Sequence, residues 1–227
     1  MEQRMQPPGP LTRARLKTPR AAAIAGILFS VLLTTTLVLL RISVPTISPE
    51  IQEWSATRSR TVMLALNLVP FAGIAFLSFI GVVRDRLGTY EDRFFATVFF
   101  GSGILFLAMF FAAAAVSGAT IMVLNAAPKL MVESGAYTFG RAISAQVMNV
   151  FALKMAGVFM ISTATLAMRT HILPRWITLP GYALAALLLL SSRFADWLPL
   201  AFPLWVLVLS IYILIENLRG TKPGAAG

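Results

Sequence analysis

Six blocks of apolar residues, at 21–40, 61–83, 94–116, 143–168, 176–192 and 197–218, dominate the chain. Blocks of about 17 to 25 such residues cross a bilayer core of roughly 30 Å as α-helix, because a helix pairs every interior backbone donor and acceptor within its own segment. A transmembrane barrel would show shorter segments of alternating hydrophobicity, and none is visible. The reading is all-α: a polytopic membrane protein, a bundle of six transmembrane helices over 21–218, between tails at 1–20 and 219–227 that are expected to be disordered. Composition agrees. Of 227 residues, 58% are hydrophobic and 12% charged, where soluble chains carry about 25% charged residues.

The net charge is +10, with fifteen Arg against four Lys. In a soluble protein that excess would suggest nucleic acid, but here the positives stand at the ends of apolar runs, so no nucleic acid is expected. Their placement suits topology and anionic lipid headgroups. Taking alternate sides of the six blocks, one side holds twelve Lys and Arg and the other six, with Lys154 left inside a span. That bias predicts both termini in the cytoplasm, N-in/C-in, and a cell (plasma or inner) membrane location, multi-pass. The expected partners are the bilayer and its anionic headgroups, with a second copy or another membrane protein as further candidates.

No cysteine is present, which excludes disulfides and thiolate chemistry. The single histidine, His171, has no second imidazole to complete a metal site or a triad. Asp85, Glu91 and Asp92 interleave with Arg84, Arg86 and Arg93 and read as a self-neutralised loop. No phosphate loop, H-E-x-x-H, G-x-S-x-G or G-x-G-x-x-G pattern occurs, so no catalytic residue, metal site or cofactor is expected.

Within the blocks, several local signals stand out. Ser48, Pro49 and Glu50 form a helix start, and Ile51 with Trp54 share one face, predicting a short interfacial helix over 49–57. Pro70 breaks the second span and Pro180-Gly181 the fifth. Gly101-Ser102-Gly103 and the Ala112–Ala115 run favour close helix packing in the third span, which is expected to continue to about Asn125. The stretch 128–140, PKLMVESGAYTFG, reads as an interfacial or re-entrant loop.

Lys154 lies near the middle of the fourth span, where a charge costs about 2.5–3.5 kcal/mol on insertion scales. Arg141 and Arg169 are 13 and 15 residues away, too far for a lysine stem to reach either headgroup layer. It therefore needs internal acceptors, for which Asn67, Thr34 to Thr36 and Ser102 are candidates. At about 100° per residue, Gly157 and Gln146 fall on one flank of Lys154, with Asn149 further round. Two readings stay open: a polar seam facing the bundle, or a lysine bonded to backbone carbonyls that lends register. On the first, Lys154, Gln146, Asn149 and Asn67 are the candidate substrate-binding residues.

Two resemblances follow. Gly81, Asp85, Arg86 and Gly88 resemble the G-x-x-x-D-R-x-G loop between helices two and three of major facilitator transporters. Thr89 and Tyr90 stand where that family has basic residues, and the chain has half its span count. The stretches GVVRDRLGTYEDRFFATVFFGSGILFL and KMAGVFMISTATLAMRTHILPRWITLPGY, about a quarter of the chain, resemble a family of uncharacterised bacterial six-helix multi-pass membrane proteins, which implies six helices and no assigned activity. The functional expectation is a permease-like transporter of a small solute. The alternative is a non-catalytic membrane subunit that packs against a partner.

Overall fold

A computed structural model describes residues 18–43, 56–87, 93–169, 173–190 and 197–219. The helices are α1 (Thr18–Ser43), α2 (Ala56–Leu87), α3 (Arg93–Ala126), α4 (Pro128–Glu133), α5 (Ala136–Gln146), α6 (Leu153–Arg169), α7 (Arg175–Leu190) and α8 (Ala201–Arg219). A π-helical segment, Val147–Ala152, joins α5 to α6, and a 3₁₀ turn, Leu198–Leu200, leads into α8. No strand occurs among the described residues. The interfacial helix expected at 49–57 lies outside them, apart from its last two residues, which begin α2.

Among the described residues, five stretches are long and apolar enough to cross a membrane: Arg20–Ser43, Arg58–Arg84, Phe94–Ala126, Ala136–Arg169 and Leu198–Arg219. The sixth apolar helix, α7, has 16 residues and rises about 24 Å, short of a full core. The ends of the bundle are called proximal, where α1 begins, and distal, where α1 finishes.

Neighbouring helices run antiparallel, and small residues set how closely they approach. Between α2 and α3, Asn125 donates to Ser59 Oγ at 2.7 Å, while Gly118 faces Leu66 and Gly73 faces Phe111. The two residue numbers in each of these pairs add to the same value, so one register holds along the contact. Gly157 of α6 lies against the Ala185 carbonyl of α7, and Gly26 of α1 against Ser210 of α8 and Phe79 of α2. A Cβ at either glycine would push the helices apart, the usual reason for small residues where lipid-embedded helices meet.

Phenylalanine fills the middle. Phe29, Phe76, Phe79, Phe99, Phe106, Phe159 and Phe202 are fully buried. The Phe76 ring lies 4.5 Å from Phe29, 5.3 Å from Phe106 and Phe159, and 5.8 Å from Phe202. Lipid tails are as apolar as these rings, so burial itself supplies little here. Shape-matched contact and edge-to-face geometry hold α1, α2, α3, α6 and α8 together, at about 0.5–1.5 kcal/mol per ring pair.

The stretch 128–140 is helical, where the sequence suggested a loop. Pro128 occupies the first turn of α4, where its missing N–H costs nothing. Gly135, at φ +71°, ends that helix and starts α5, and its N–H bonds back to the Val132 carbonyl at 3.1 Å. Gly140 lies inside α5 against Thr120. Met131 and Tyr137 then pack with Val62, Ile121 and Leu124 in a second, distal apolar cluster.

Candidate functional site

At the distal end, the tips of α1 and α3, the α5–π stretch and the 3₁₀ turn enclose a chamber of about 240 Å³. That is many times the volume one water needs. Arg41 from α1 and Arg141 from α5 line it, with Tyr137, Ser117, Thr120, Ser144 and Asn149, and no acidic side chain among the described residues belongs to its lining. Both arginines also hold other interactions within the protein. The Arg41 guanidinium carbon is 5.8 Å from the centre of the Trp197 indole, a cation–π distance.

Hydrogen bonds settle what the hydroxyls can offer. Ser144 Oγ donates to the Ala113 carbonyl at 2.9 Å and lies 2.6 Å from Ser117 Oγ. Because Ser144 has a single proton, Ser117 must be the donor to it. Thr120 Oγ1 donates to the Val116 carbonyl at 2.7 Å. These protons are committed inward, so Ser117 and Thr120 present lone pairs to the chamber. The site thus combines cationic donors with neutral acceptors.

The π segment builds one wall. Each π-helical hydrogen bond closes over one more residue than an α-helical bond, so a single π turn shifts the phase of the chain by roughly 100°. Met148 and Asn149 within it line the chamber. The same shift explains where Gln146 goes: a continuous α-helix would set it on the flank of Lys154, whereas it lies exposed on α5.

The four residues singled out in the sequence are not brought together. Asn149 lines the chamber. Gln146 and Asn67 are exposed. Lys154 is half-buried on the stripe of α6 that carries Gly157 and Thr165. Both of those touch α7, Thr165 through a 2.7 Å hydroxyl contact to Tyr182, and the antiparallel register sets Lys154 level with the last turn of α7. Of the acceptors proposed for it, Thr36 Oγ1 bonds the Ala65 carbonyl and Ser102 Oγ those of Val98 and Phe99.

Sequence reasoning missed Arg41, Arg141, Ser117, Thr120, Ser144 and Trp197 as a group. It treated both arginines as topology charges. The available signal was that each stands at the distal end of an apolar block, on the same side as the other.

The described residues form an all-helical bundle whose long apolar helices suit a multi-pass membrane protein, with a ligand-sized chamber at one end that Arg41 and Arg141 line. In comparisons with known proteins, no family model, no curated protein and no solved structure matches the chain.

Proposed function

We propose that this is a non-catalytic binding protein of the plasma or inner membrane, with six spans and both termini in the cytoplasm, which takes an anionic group into the distal chamber from the extracytoplasmic side. One observation carries the reading: Arg41 and Arg141 both line one chamber, together with hydroxyl and amide side chains, and a guanidinium that already holds a partner within the protein still has five N–H donors to share with an anion. The Phe76-centred ring cluster lies in the middle of the same bundle, and dense aromatic packing there suits binding better than passage. The six-span, N-in/C-in layout rests on the two-to-one distribution of Lys and Arg between the two sides. A non-catalytic subunit that reports or delivers its ligand to a membrane partner fits this description.

A permease is the second reading. It is favoured by three interruptions of helix geometry, at Pro70, at Pro180 and at the π segment, since broken helices give transporters their moving parts. Decyl phosphate, which joins a phosphate to a short chain, separates the readings. Saturable quenching of Trp197 fluorescence, lost in Arg41→Gln/Arg141→Gln, with no accumulation inside proteoliposomes, is the expected result. Accumulation would make the protein a permease, and the absence of any saturable response would remove the anion site.

A further inference from the structure

Asn67 stands on the outer face of α2, away from the chamber. Its carboxamide is exposed and makes no hydrogen bond among the described residues. α2 is long and apolar enough to cross a membrane between Arg58 and Arg84, and Asn67 lies about 13 Å along the helix from Arg58. That places its amide in hydrocarbon, where no water can bond it and an unpaired polar group is costly.

The positions around it form a pattern. Met63, Asn67, Pro70, Ile74, Leu77 and Gly81 are all exposed, and their spacings alternate strictly between four and three. This is the a/d rhythm of a left-handed coiled coil, with Asn67 at an a position. The stripe runs for about 27 Å, close to the roughly 30 Å hydrocarbon core. Val62, Ala65, Val69, Ala72 and Phe76 bury the opposite face, so the stripe is surplus to the fold of one chain. At Gly81 a Cβ would meet nothing within the chain, which leaves room for another backbone. The apolar members of the stripe would be content against lipid; the amide is what lipid cannot serve.

We propose that this stripe is where a second copy of the chain docks, α2 against α2. A closed pair of copies inserted the same way up has its two-fold axis along the bilayer normal. α2 then meets its counterpart parallel and at one height, so Asn67 falls opposite Asn67. A carboxamide carries both an acceptor oxygen and N–H donors, and is therefore its own complement across that axis. The pair exchanges two hydrogen bonds, and a lone Asn at an a position fixes the register and the number of helices that meet. Pro70 also removes the helical donor of the Leu66 carbonyl, leaving a further acceptor next to Asn67. Arg60 and Arg84 continue the stripe beyond either end, where the cations of the two copies meet water and anionic headgroups. Docking of this kind needs only that α2 spans the membrane and does not depend on what the distal chamber binds.

The test uses the full chain in liposomes. Single-molecule bleaching is expected to count two copies per complex. Asn67→Leu should raise the dissociation constant of the dimer about tenfold, the worth of two interhelical hydrogen bonds in lipid, with helicity unchanged. Asn67→Gln keeps an amide and should hold most of the association, while Gln146→Leu removes an exposed amide on α5 and should change nothing. The chain has no cysteine, so contacts can be mapped one position at a time. Leu77 and Leu28 are similarly exposed, at 43% and 49%. Ile74→Cys and Leu77→Cys should oxidise to cross-linked dimers, and Leu28→Cys on α1 should not. One copy per complex would leave the amide bonded to its own helix and overturn the dimer. Dimers that ignore Asn67→Leu, or that cross-link at Leu28→Cys and not at Ile74→Cys, would overturn the α2 interface.

Discussion

Ser117 and Ser144 meet across α3 and α5 with their hydroxyl oxygens 2.6 Å apart. Ser144 passes the chain of bonds on to the Ala113 carbonyl, so it is at once acceptor and donor, whereas Ser117 is only a donor in this pair. The two positions should therefore differ in worth. Ser144→Ala removes both interhelical bonds and should cost about 1 kcal/mol, within the range measured for such bonds in lipid. Ser117→Ala removes one and should cost less. Unfolding in mixed detergent measures both, and equal effects would contradict the direction of the bonds.

Ser210 presents the opposite case. Its hydroxyl is fully buried in α8 against α1 and finds no hydrogen-bond partner among the described residues. A buried hydroxyl without a partner costs about 1–3 kcal/mol. Ser210→Ala should thus be neutral or stabilising. Gly26→Leu, which drives a side chain into Ser210 and Phe79, should destabilise by about 1–3 kcal/mol as overpacking does. A loss of stability in Ser210→Ala would show that the hydroxyl is satisfied after all.

Lys154 was the most conspicuous residue in the sequence, yet it does not line the chamber. Level with the last turn of α7, it is placed to complement carbonyls that a helix end leaves without partners, a charge–dipole effect of about 0.3–1 kcal/mol. Lys154→Met should therefore leave decyl phosphate binding within about twofold of the parent. Insertion should be unimpaired, since a charge at mid-span is itself costly. A collapse of binding in Lys154→Met would return the polar seam of α6 to the centre of the function.

Orientation is checked separately. Reporters fused at residue 130 should be extracytoplasmic, and those at residue 172 and after residue 219 cytoplasmic, following the two-to-one bias of Lys and Arg. A cytoplasmic signal at residue 130 would break the six-span layout and place the chamber on the other side.

The helices were legible because hydropathy acts locally: α1, α2 and α3 each contain the apolar block that announces them, and α8 holds all but the first four residues of its own. Pro70 and Pro180 were legible for the same reason, and both lie inside helices. The chamber was not, because it depends on pairings between distant segments. Arg41 and Arg141 are a hundred residues apart, and what brings them to one cavity is the register of α1 and α5 on their neighbours. Gly135 and Gly140 look alike in sequence; only the first takes a left-handed backbone, while the second serves close packing against Thr120. The π segment has no sequence signature at all, and with it went the phase of Gln146.

That segment yields the last prediction. A π turn amounts to one residue more than the α-helix needs, so deleting one residue restores an unbroken helix while preserving the relative phase of the helices on either side. Deletion of Val150 should leave α5 packed on α3 through Ser117 and Ser144, and α6 packed on α7 through Gly157. The protein should fold with its helicity retained and its ends displaced by about 1.5 Å, one residue's rise. Met148 and Asn149, however, lose the bulge that sets them in the chamber wall. Decyl phosphate binding should then fall about tenfold or more, the effect of losing roughly 1.4 kcal/mol at the wall. Asn149→Leu, which keeps the π turn and removes only the amide, should give a smaller loss. If the deletion binds as the parent does, the π segment is a packing accommodation between α5 and α6, and Arg41 and Arg141 alone define the site.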